Sequence, residues 1–183
     1  MIRFIKKLRD AYLARIKWRR YKIGRHFHAG ARVRLWAKSK LEIGNHFYIG
    51  RDSQIETDCV IGDYVIFGNK VALVGRYDHN FQQTGLPIRL ASEIRSKDYN
   101  WHGLHQMTVI EEDVWVGYGS VVMSGVTIQR GSIIAAGSVV TGNVDAYSIY
   151  GGVPAKKIKD RFPSQQALQE HLLQYESFKK SLK

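Results

Sequence analysis

The 183-residue sequence is poor in cysteine and proline and has no long apolar run. Its single cysteine, Cys59, has no partner for a disulfide within the chain, which suits a reducing compartment. Three prolines and 17 glycines argue against a disordered or collagen-like chain. No stretch approaches the roughly 20 apolar residues that span a bilayer, and charges interrupt the N-terminal segment where a signal peptide is apolar. We therefore expect one globular domain that works in the cytoplasm, with contact at the inner face of the membrane as a further option.

Positive charge is concentrated at one end of the chain. The formal net charge is +12, and residues 1–40 hold 14 of the 28 lysine and arginine residues against a single acid, Asp10. The rest of the chain is close to neutral. This distribution predicts a basic arm on a near-neutral body, and it argues against a protein that binds nucleic acid over its whole surface.

A six-residue repeat organises the body of the chain. Hexads run from residue 41 to 76 and again from 108 to 143, and the third residue of each is apolar. A period of six fits neither a helix nor an ordinary long strand, but it fits short extended segments joined by tight turns. Three hexads then form one triangular coil, and stacked coils bury the apolar side chains. The third positions are Ile43, Ile49, Ile55, Ile61, Phe67, Leu73, Ile110, Val116, Val122, Ile128, Ile134 and Val140.

Glycine closes four successive hexads of the second run, at Gly119, Gly125, Gly131 and Gly137. Glycine supplies the backbone conformations that tight turns require, so each of these positions is predicted to lie at a corner. The fold class that the repeat predicts is an all-β solenoid. A sandwich of short strands is the alternative, and two phased runs of hexads disfavour it.

Residues 77–107 break the repeat with a long, polar and aromatic segment. Connections of that length are usually functional or disordered, so we expect a loop excursion from the solenoid. Three of the seven histidines lie in this loop: His79, His102 and His105.

Helices are predicted at both ends of the chain. Residues 1–20 place Ile5, Leu8, Tyr12 and Ile16 at helical spacing, with basic residues on another face. We expect this apolar stripe to pack on the solenoid or on another subunit, and peripheral membrane contact through residues 1–20 is the alternative.

The predicted C-terminal helix starts after Pro163, with Ser164 as its cap, and contains Leu168, Leu172, Tyr175 and Phe178. The predicted organisation therefore has three parts. A basic N-terminal helical arm and lead-in occupies residues 1–40, the solenoid domain occupies 41–160, and the C-terminal helix occupies 161–183.

The hexads, the histidine loop and the closing segment YGGVPAKKIK together resemble the hexapeptide-repeat acyltransferases over about residues 41–162. The run from Val114 onwards is most similar to maltose, galactoside and nodulation-factor O-acetyltransferases. The basic N-terminal helix and the DHN loop are more like acetyltransferases of surface-polysaccharide clusters. The resemblance implies a left-handed parallel β-helix, a homotrimer and CoA-dependent acyl transfer. It implies acetyl-CoA as co-substrate, no metal, and the hydroxyl of a sugar or surface glycan as acceptor.

The resemblance also implies roles for particular residues. His79 in YDHN matches the position of the catalytic general base, a task that suits histidine because its side chain titrates near neutral pH. Asp58 matches an acceptor-contacting aspartate. Asp78 is a poor orienting partner for His79, because neighbouring side chains of an extended segment point apart. The positions that match CoA contacts are Tyr118, Ala136, Thr141, Lys156 and Lys159.

Other functions remain open at this stage. The nearest variant is an N-acetyltransferase acting on a nucleotide-linked amino sugar. A zinc enzyme of the carbonic-anhydrase kind uses the same fold, with His79, His102 and His105 as its candidate ligands across subunits. A nucleic-acid-binding or scaffold protein would use the basic arm, but an apolar stripe serves a membrane surface and not a phosphate backbone.

Overall fold

The computed structural model describes residues 2–181 as a stack of short strands with a helix at each end. Helix α1 is Ile2–Tyr12 and continues as a π-helical segment, Leu13–Lys17, and α2 is Gln165–Ser181. The strands are β1 (Lys22–Ile23), β2 (His28–Ala29), β3 (Arg34–Trp36), β4 (Leu41–Ile43), β5 (Tyr48–Ile49), β6 (Gln54–Glu56), β7 (Cys59–Ile61), β8 (Ile66–Phe67), β9 (Ala72–Val74), β10 (Thr108–Ile110), β11 (Trp115–Val116), β12 (Val121–Met123), β13 (Thr127–Ile128), β14 (Ile133–Ile134), β15 (Val139–Val140), β16 (Ser148–Gly152) and β17 (Ala155–Asp160).

Each strand from β1 to β12 pairs in parallel with the strand three places further along the chain. The first sheet has the order β1-β4-β7-β10-β13 and the third has β15-β12-β9-β6-β3. The second sheet has the order β17-β16-β14-β11-β8-β5-β2, in which only β17 is antiparallel to its neighbour. Each coil thus contributes one strand to each sheet, and five coils are complete. This parallel β-solenoid is consistent with the left-handed β-helix and confirms the predicted fold class.

The core is a column of apolar side chains inside the three sheets. All twelve third positions of the predicted hexads are buried, with exposures from 0% to 3%. The residues that open the hexads are buried as well, as at Phe47, Val65 and Cys59. Burial raises the pKa of the Cys59 thiol, so this side chain is an inert apolar group, as the sequence indicates.

The four corner glycines have the backbone conformation that their sequence positions predict. Gly119, Gly125, Gly131 and Gly137 have φ of 68°, 80°, 67° and 70°. Earlier coils reach the same left-handed region without glycine, for example at His46 with φ of 56°. The glycine signal is therefore confined to the later coils, although the turn is the same throughout.

The solenoid begins ahead of the predicted start at Leu41. Strands β1 to β3 form a complete first coil, and β1 pairs with β4 in a register that joins Lys22 to Glu42. Ser39 and Lys40 lengthen the corner before β4, so this coil is two residues longer than the 18-residue offset that joins Leu41 to Cys59. The insertion hides the repeat in residues 21–38 from a search for strict hexads.

Helix α1 and the π-helical segment close the N-terminal end of the solenoid. Trp18 is buried and contacts the Phe27 ring edge-on, with 5.9 Å between centroids, and Leu13 and Ala14 pack on the same core. The apolar stripe that the sequence singles out lies elsewhere. The expectation that it packs on the solenoid is wrong, since the stripe is half-exposed or more at Ile5, Leu8, Tyr12 and Ile16.

Helix α2 runs along the corner between the first and second sheets and does not close an open end. The Ser164 hydroxyl accepts a hydrogen bond from the Ala167 N–H at 3.1 Å, which confirms the predicted cap. Tyr175 approaches the Tyr64 ring edge-on, with 6.4 Å between centroids, and Lys179 pairs with Glu112 at 3.2 Å. Among residues 2–181, no helix has the length and apolar character needed to cross a bilayer.

Candidate active site

The inserted loop leaves the solenoid at the corner between the third and first sheets. It starts after β9 and returns at β10, so it lies in the third of the four connections from the third sheet to the first. Ala91, Ile94 and Tyr99 in this loop are buried, and the Tyr99 hydroxyl donates to the Tyr77 carbonyl. The predicted excursion at residues 77–107 is therefore a packed part of the domain.

A short antiparallel ladder in the loop places His79 opposite Glu93. The Asn80 N–H donates to the Ser92 carbonyl at 2.9 Å, and the Ile94 N–H donates to the Asp78 carbonyl at 2.8 Å. These two bonds flank the pair formed by residues 79 and 93, which is therefore a non-hydrogen-bonded pair. In such a pair the two side chains lie on the same face and are close together.

The His79 imidazole has one nitrogen towards the solvent-accessible side and one towards the protein. Its Nε2 lies 4.0 Å from the Glu93 carboxylate, and the two side chains are 39% and 42% exposed. The Nδ1 atom is buried and has no hydrogen-bond partner among the described residues. Nε2 is therefore the nitrogen that can meet a substrate, and a nearby carboxylate stabilises the imidazolium that proton uptake would form.

Asp78 points to the other face of the ladder. Its carboxylate folds over Gly75, where a side chain would collide with it. Burial raises the pKa of Asp78, against the opposing effect of the charges on His79 and Arg95. No hydrogen bond joins Asp78 to His79 within residues 2–181, in keeping with the alternation expected for neighbours.

The loop segment that contains Glu93 contacts side chains of the first two coils. The Arg95 guanidinium lies over the Trp36 ring, 4.0 Å from its centroid, and its Nη2 is 3.4 Å from the Glu56 carboxylate. The Lys38 ammonium donates to the Ser96 carbonyl at 2.7 Å. A small cavity of about 100 Å³ lies between these groups, lined by Trp36, Glu56, Asp78, His79, Glu93, Ile94 and Arg95.

Sequence reasoning missed Glu93, Arg95 and Trp36. All three lie outside any recognisable motif, and the pairing of residue 79 with residue 93 depends on a ladder inside an irregular loop. The usable signal would have been the alternation of side chains along Ser92–Arg95, which is too short to stand out from its surroundings.

An aromatic cluster adjoins His79 in the same loop. The Phe81 and Trp101 rings meet edge-on with centroids 4.6 Å apart, and Tyr77 lies 5.3 Å from Trp101. His102 belongs to this cluster, 5.4 Å from Tyr77, while His105 is exposed. Across the part of the chain that the structure describes, no group of three or more His, Cys, Asp or Glu side chains is close enough to hold a metal ion.

Two of the predicted CoA contacts lie together on the corner between the second and third sheets. Tyr118 and Ala136 occupy successive coils there, and the Tyr118 carbonyl accepts from the Gly137 N–H at 2.8 Å. Gly117 makes this stacking possible, because a Cβ at that residue would lie 2.6 Å from the Ala136 nitrogen. The corner therefore offers a close-packed backbone along which a ligand can lie.

The other predicted CoA contacts lie on different parts of the surface. Thr141 is at the corner of the inserted loop, where its carbonyl accepts from the Arg76 guanidinium at 2.6 Å. Lys156 and Lys159 are exposed on β17, which forms a hairpin with β16 at the edge of the second sheet. Gly151 of this hairpin packs close to Ala135 and pairs with Lys156, so Lys156 lies beside the corner that holds Tyr118 and Ala136. Lys159 pairs with Ile149, two residues earlier on β16.

Asp58 lies at the corner of the inserted loop, between β6 and β7. One carboxylate oxygen accepts from the backbone N–H groups of Ser39 and Lys40, at 2.8 and 3.2 Å. This carboxylate therefore supports the lengthened corner of the first coil, and its second oxygen is the one left for a substrate.

The chain is similar to known proteins in both sequence and fold. The sequence pattern of the family described as bacterial transferase hexapeptide (six repeats) matches residues 40–75 and 107–142. A probable acetyltransferase of Mycobacterium tuberculosis is 33% identical over 142 residues, 76% of this chain and 44% of that protein. The chain spans less than half the length of the curated relatives it matches.

Two solved structures share the fold. A maltose O-acetyltransferase from Clostridium difficile has a TM-score of 0.62 and 23% identity, over 76% of this chain and 68% of that one. A hexapeptide-repeat acetyltransferase from Vibrio cholerae, solved with acetyl coenzyme A, has a TM-score of 0.60 and 24% identity, over 77% and 71%. The coils and the repeats define a hexapeptide-repeat β-helix protein. The chain carries the repeats of the bacterial transferase hexapeptide family, which confirms the resemblance seen in the sequence.

Proposed function

We propose that this protein transfers an acetyl group from acetyl-CoA to a hydroxyl of a sugar or surface glycan, with His79 as the general base. The observation that carries the proposal is the pairing of His79 with Glu93 at the mouth of the inserted loop. The family match supports an acyl-transfer reaction, and the Vibrio cholerae relative was solved with acetyl coenzyme A. The maltose O-acetyltransferase fold supports a sugar hydroxyl as acceptor.

The reaction requires two proton transfers, one from the acceptor hydroxyl to the enzyme and one from the enzyme to the departing thiolate. Nε2 of His79 takes the proton from the acceptor hydroxyl while the oxygen attacks the thioester carbonyl carbon. The C–O bond forms, the C–S bond breaks, and the imidazolium returns the proton to the departing thiolate. Glu93 acts as a positioning residue, since its carboxylate faces the imidazole and stabilises the cation formed midway.

The co-substrate is proposed to lie along the corner formed by Tyr118 and Ala136. The small side chain of Ala136 and the open space at Gly119 and Gly137 suit an extended pantetheine arm, with the exposed Tyr118 ring beside it. Lys156 and, further along β17, Lys159 are proposed to act as point charges for the nucleotide phosphates, without the bidentate geometry of arginine. Thr141, at the corner of the inserted loop, is proposed to meet the end of the arm that carries the acetyl group.

The acceptor is proposed to lie between His79 and the aromatic cluster. Phe81 is 51% exposed, so its ring is available to the apolar face of a sugar. Asp58 at the same corner has one free carboxylate oxygen, which can accept a hydrogen bond from a second hydroxyl. Together these groups provide the mixture of apolar and polar contacts that a carbohydrate needs.

We also propose a homotrimer in which the second sheet supplies the contact surface. Tyr48, Ile66 and Trp115 are neighbours in register on its outer face, and they are 42%, 47% and 52% exposed. An apolar column of this kind on an outward sheet face marks an interaction surface. Light scattering should give a trimer for the wild type and a lower mass for Ile66→Glu.

The proposal is tested by an acceptor screen with acetyl-CoA. Purified protein is incubated with sugars, nucleotide-linked amino sugars and lipid-linked glycans, and free thiol and product mass are both measured. We expect a mass gain of one acetyl group on a hydroxyl acceptor, removable by hydroxylamine as an ester is. An amide product, which resists hydroxylamine, would establish the N-acetyl alternative, and no acetylated product from any acceptor class would overturn the proposal.

A further inference from the structure

Helix α1 presents an apolar stripe to solvent. The stripe consists of Ile5, Leu8, Tyr12 and Ile16, which are 57%, 56%, 53% and 60% exposed. Isolated exposed apolar residues are common, but four on one side of one helical segment form a continuous patch. Such a patch is costly in water unless something covers it.

The opposite side of the same segment is fixed to the solenoid, which sets the direction of the stripe. The Asp10 carboxylate is 2.7 Å from Nδ1 of His28, and the Arg9 guanidinium donates to the Ala29 carbonyl. Leu13 and Ala14 are partly buried on the core, and Trp18 is buried. These anchors leave no room for the helix to turn its stripe inward, so the stripe is a built feature of the outer surface.

Exposed cations lie beside the stripe, on other faces of the same helical segment. Those exposed along the segment without an ion pair among the described residues are Lys6, Lys7, Arg15, Lys17 and Arg19. In the first coil, which lies next to this segment, several cations are paired with carboxylates. There Lys22 pairs with Glu42 at 3.7 Å, Arg32 pairs with Asp52 through two hydrogen bonds, and Arg34 pairs with Glu56 at 3.5 Å.

We propose that this outer face of α1 docks on an anionic membrane surface. An interfacial helix needs an apolar side that enters the bilayer and cations that meet acidic headgroups, and this segment has both. Nucleic acid would satisfy the cations and leave the stripe in water. A second copy would cover the stripe but would bring two sets of unpaired cations together, which costs free energy. The lipid surface is the partner that satisfies both features.

Docking in this way places the catalytic loop close to the membrane. The loop leaves the solenoid after the third coil, and coils are spaced like neighbouring strands, about 4.8 Å apart. Two coil spacings and the width of one helix, about 10 Å, set His79 roughly 20 Å above the headgroups. That height suits an acceptor held at the bilayer, a consequence that rests on the proposed function, whereas the docking itself does not.

The test is co-sedimentation of the full chain with vesicles. Vesicles contain either phosphatidylcholine alone or phosphatidylcholine with about 30% phosphatidylglycerol, whose negative surface potential attracts basic segments. The variants are Leu8→Glu with Ile16→Glu for the stripe, and Lys6→Gln with Lys17→Gln for the charge. Leu173→Glu on α2 is the matched control, because Leu173 is 74% exposed and far from α1 in the chain.

We expect wild type and Leu173→Glu to sediment with the anionic vesicles and to bind far less to the neutral ones. The stripe variant should lose binding by at least about tenfold, since two apolar side chains no longer enter the bilayer. A Tyr12→Trp variant should show a blue shift of its emission on binding. Equal sedimentation of wild type and the stripe variant would overturn the proposal. So would concentration-dependent dimerisation that the stripe variant abolishes without any vesicle binding, because the stripe would then be covered by a second copy.

Discussion

His79 and Glu93 face each other across a two-stranded ladder inside the inserted loop, with the imidazole Nε2 4.0 Å from the carboxylate. The ladder fixes both backbones, so the separation does not depend on flexible side chains alone. A carboxylate at that distance from a base stabilises the cation that forms during proton transfer. The pair therefore has the arrangement that the proposed proton transfer requires.

We expect Glu93→Gln to lower kcat by about tenfold and to leave the KM for acetyl-CoA nearly unchanged, a loss of about 1.4 kcal/mol in the transition state. The amide keeps the size of the side chain and removes only its charge. Steady-state kinetics with the acceptor identified by the screen would measure both constants. Glu93→Asp should recover part of the rate, and an unchanged kcat in Glu93→Gln would exclude the role assigned to Glu93.

Lys156 and Lys159 are predicted to act on CoA binding and not on chemistry. Replacing both with Gln should raise the KM for acetyl-CoA by about tenfold, because two point charges near the phosphates are lost. The effect should shrink as salt increases, while kcat stays the same. Lys157→Gln is the control, since Lys157 already pairs with Asp160 at 2.9 Å. A matching rise in KM for the control would contradict the selective role.

Asp78 should make stability depend on pH. Because burial raises the pKa of this carboxyl, the folded protein holds its proton more tightly than the unfolded chain does. The stabilisation is complete below the ordinary pKa of about 3.9 and is lost as pH rises through the raised value. Asp78→Asn should therefore melt like wild type at acidic pH and above wild type at pH 7.

The control for that comparison is Asp52, whose contribution to stability depends on pH in the opposite direction. Hydrogen bonding to Arg32 lowers the pKa of Asp52, so its contribution is present above the ordinary pKa and is lost as pH falls. Asp52→Asn should therefore melt below wild type at pH 7. Thermal unfolding followed by circular dichroism between pH 4 and 8 measures both variants. A lower melting temperature for Asp78→Asn at pH 7 would contradict the assigned environment.

Two corner glycines should differ in their tolerance of alanine. Gly137 has φ of 70° and open space around it, so Gly137→Ala should cost only the backbone strain, about 1–2 kcal/mol. Gly131 has φ of 67° and its added Cβ would collide with the Tyr147 ring. Gly131→Ala should therefore cost more, and urea unfolding of both variants measures the difference. Equal costs would show that the Tyr147 ring moves aside freely.

The sequence predicts the solenoid because buried apolar side chains recur every six residues, which is the length of one side of a coil. The third residue of each hexad, such as Ile55 or Ile134, has to lie inside for its coil to stack on the next. The hexads therefore predict the fold without any information on distant contacts. The six-residue repeat does not predict the first coil, because Ser39 and Lys40 put residues 21–38 out of register with the later hexads. The corners of that coil also use residues such as His26, φ 58°, where later coils use glycine.

The candidate site is less predictable because it depends on contacts between distant parts of the chain. The position of His79 follows from the end of the first hexad run, but its partner Glu93 is set by a ladder that only the folded loop shows. The direction of the stripe on α1 has the same cause. Spacing indicates that Leu8 and Tyr12 share a face. The hydrogen bond that the Asp10 carboxylate accepts from the His28 imidazole decides that this face points outward.

The most direct measurement is the rate of acetyl transfer by the His79→Ala variant. His105→Ala is its control, because it removes an exposed histidine of the same loop. If His79 is the general base, kcat/KM should fall by about 10² to 10⁴ in His79→Ala and stay close to wild type in His105→Ala. Melting temperatures and the KM for acetyl-CoA confirm that both variants are folded and bind the donor. Full activity of His79→Ala with the acceptor that wild type uses would contradict the assigned mechanism.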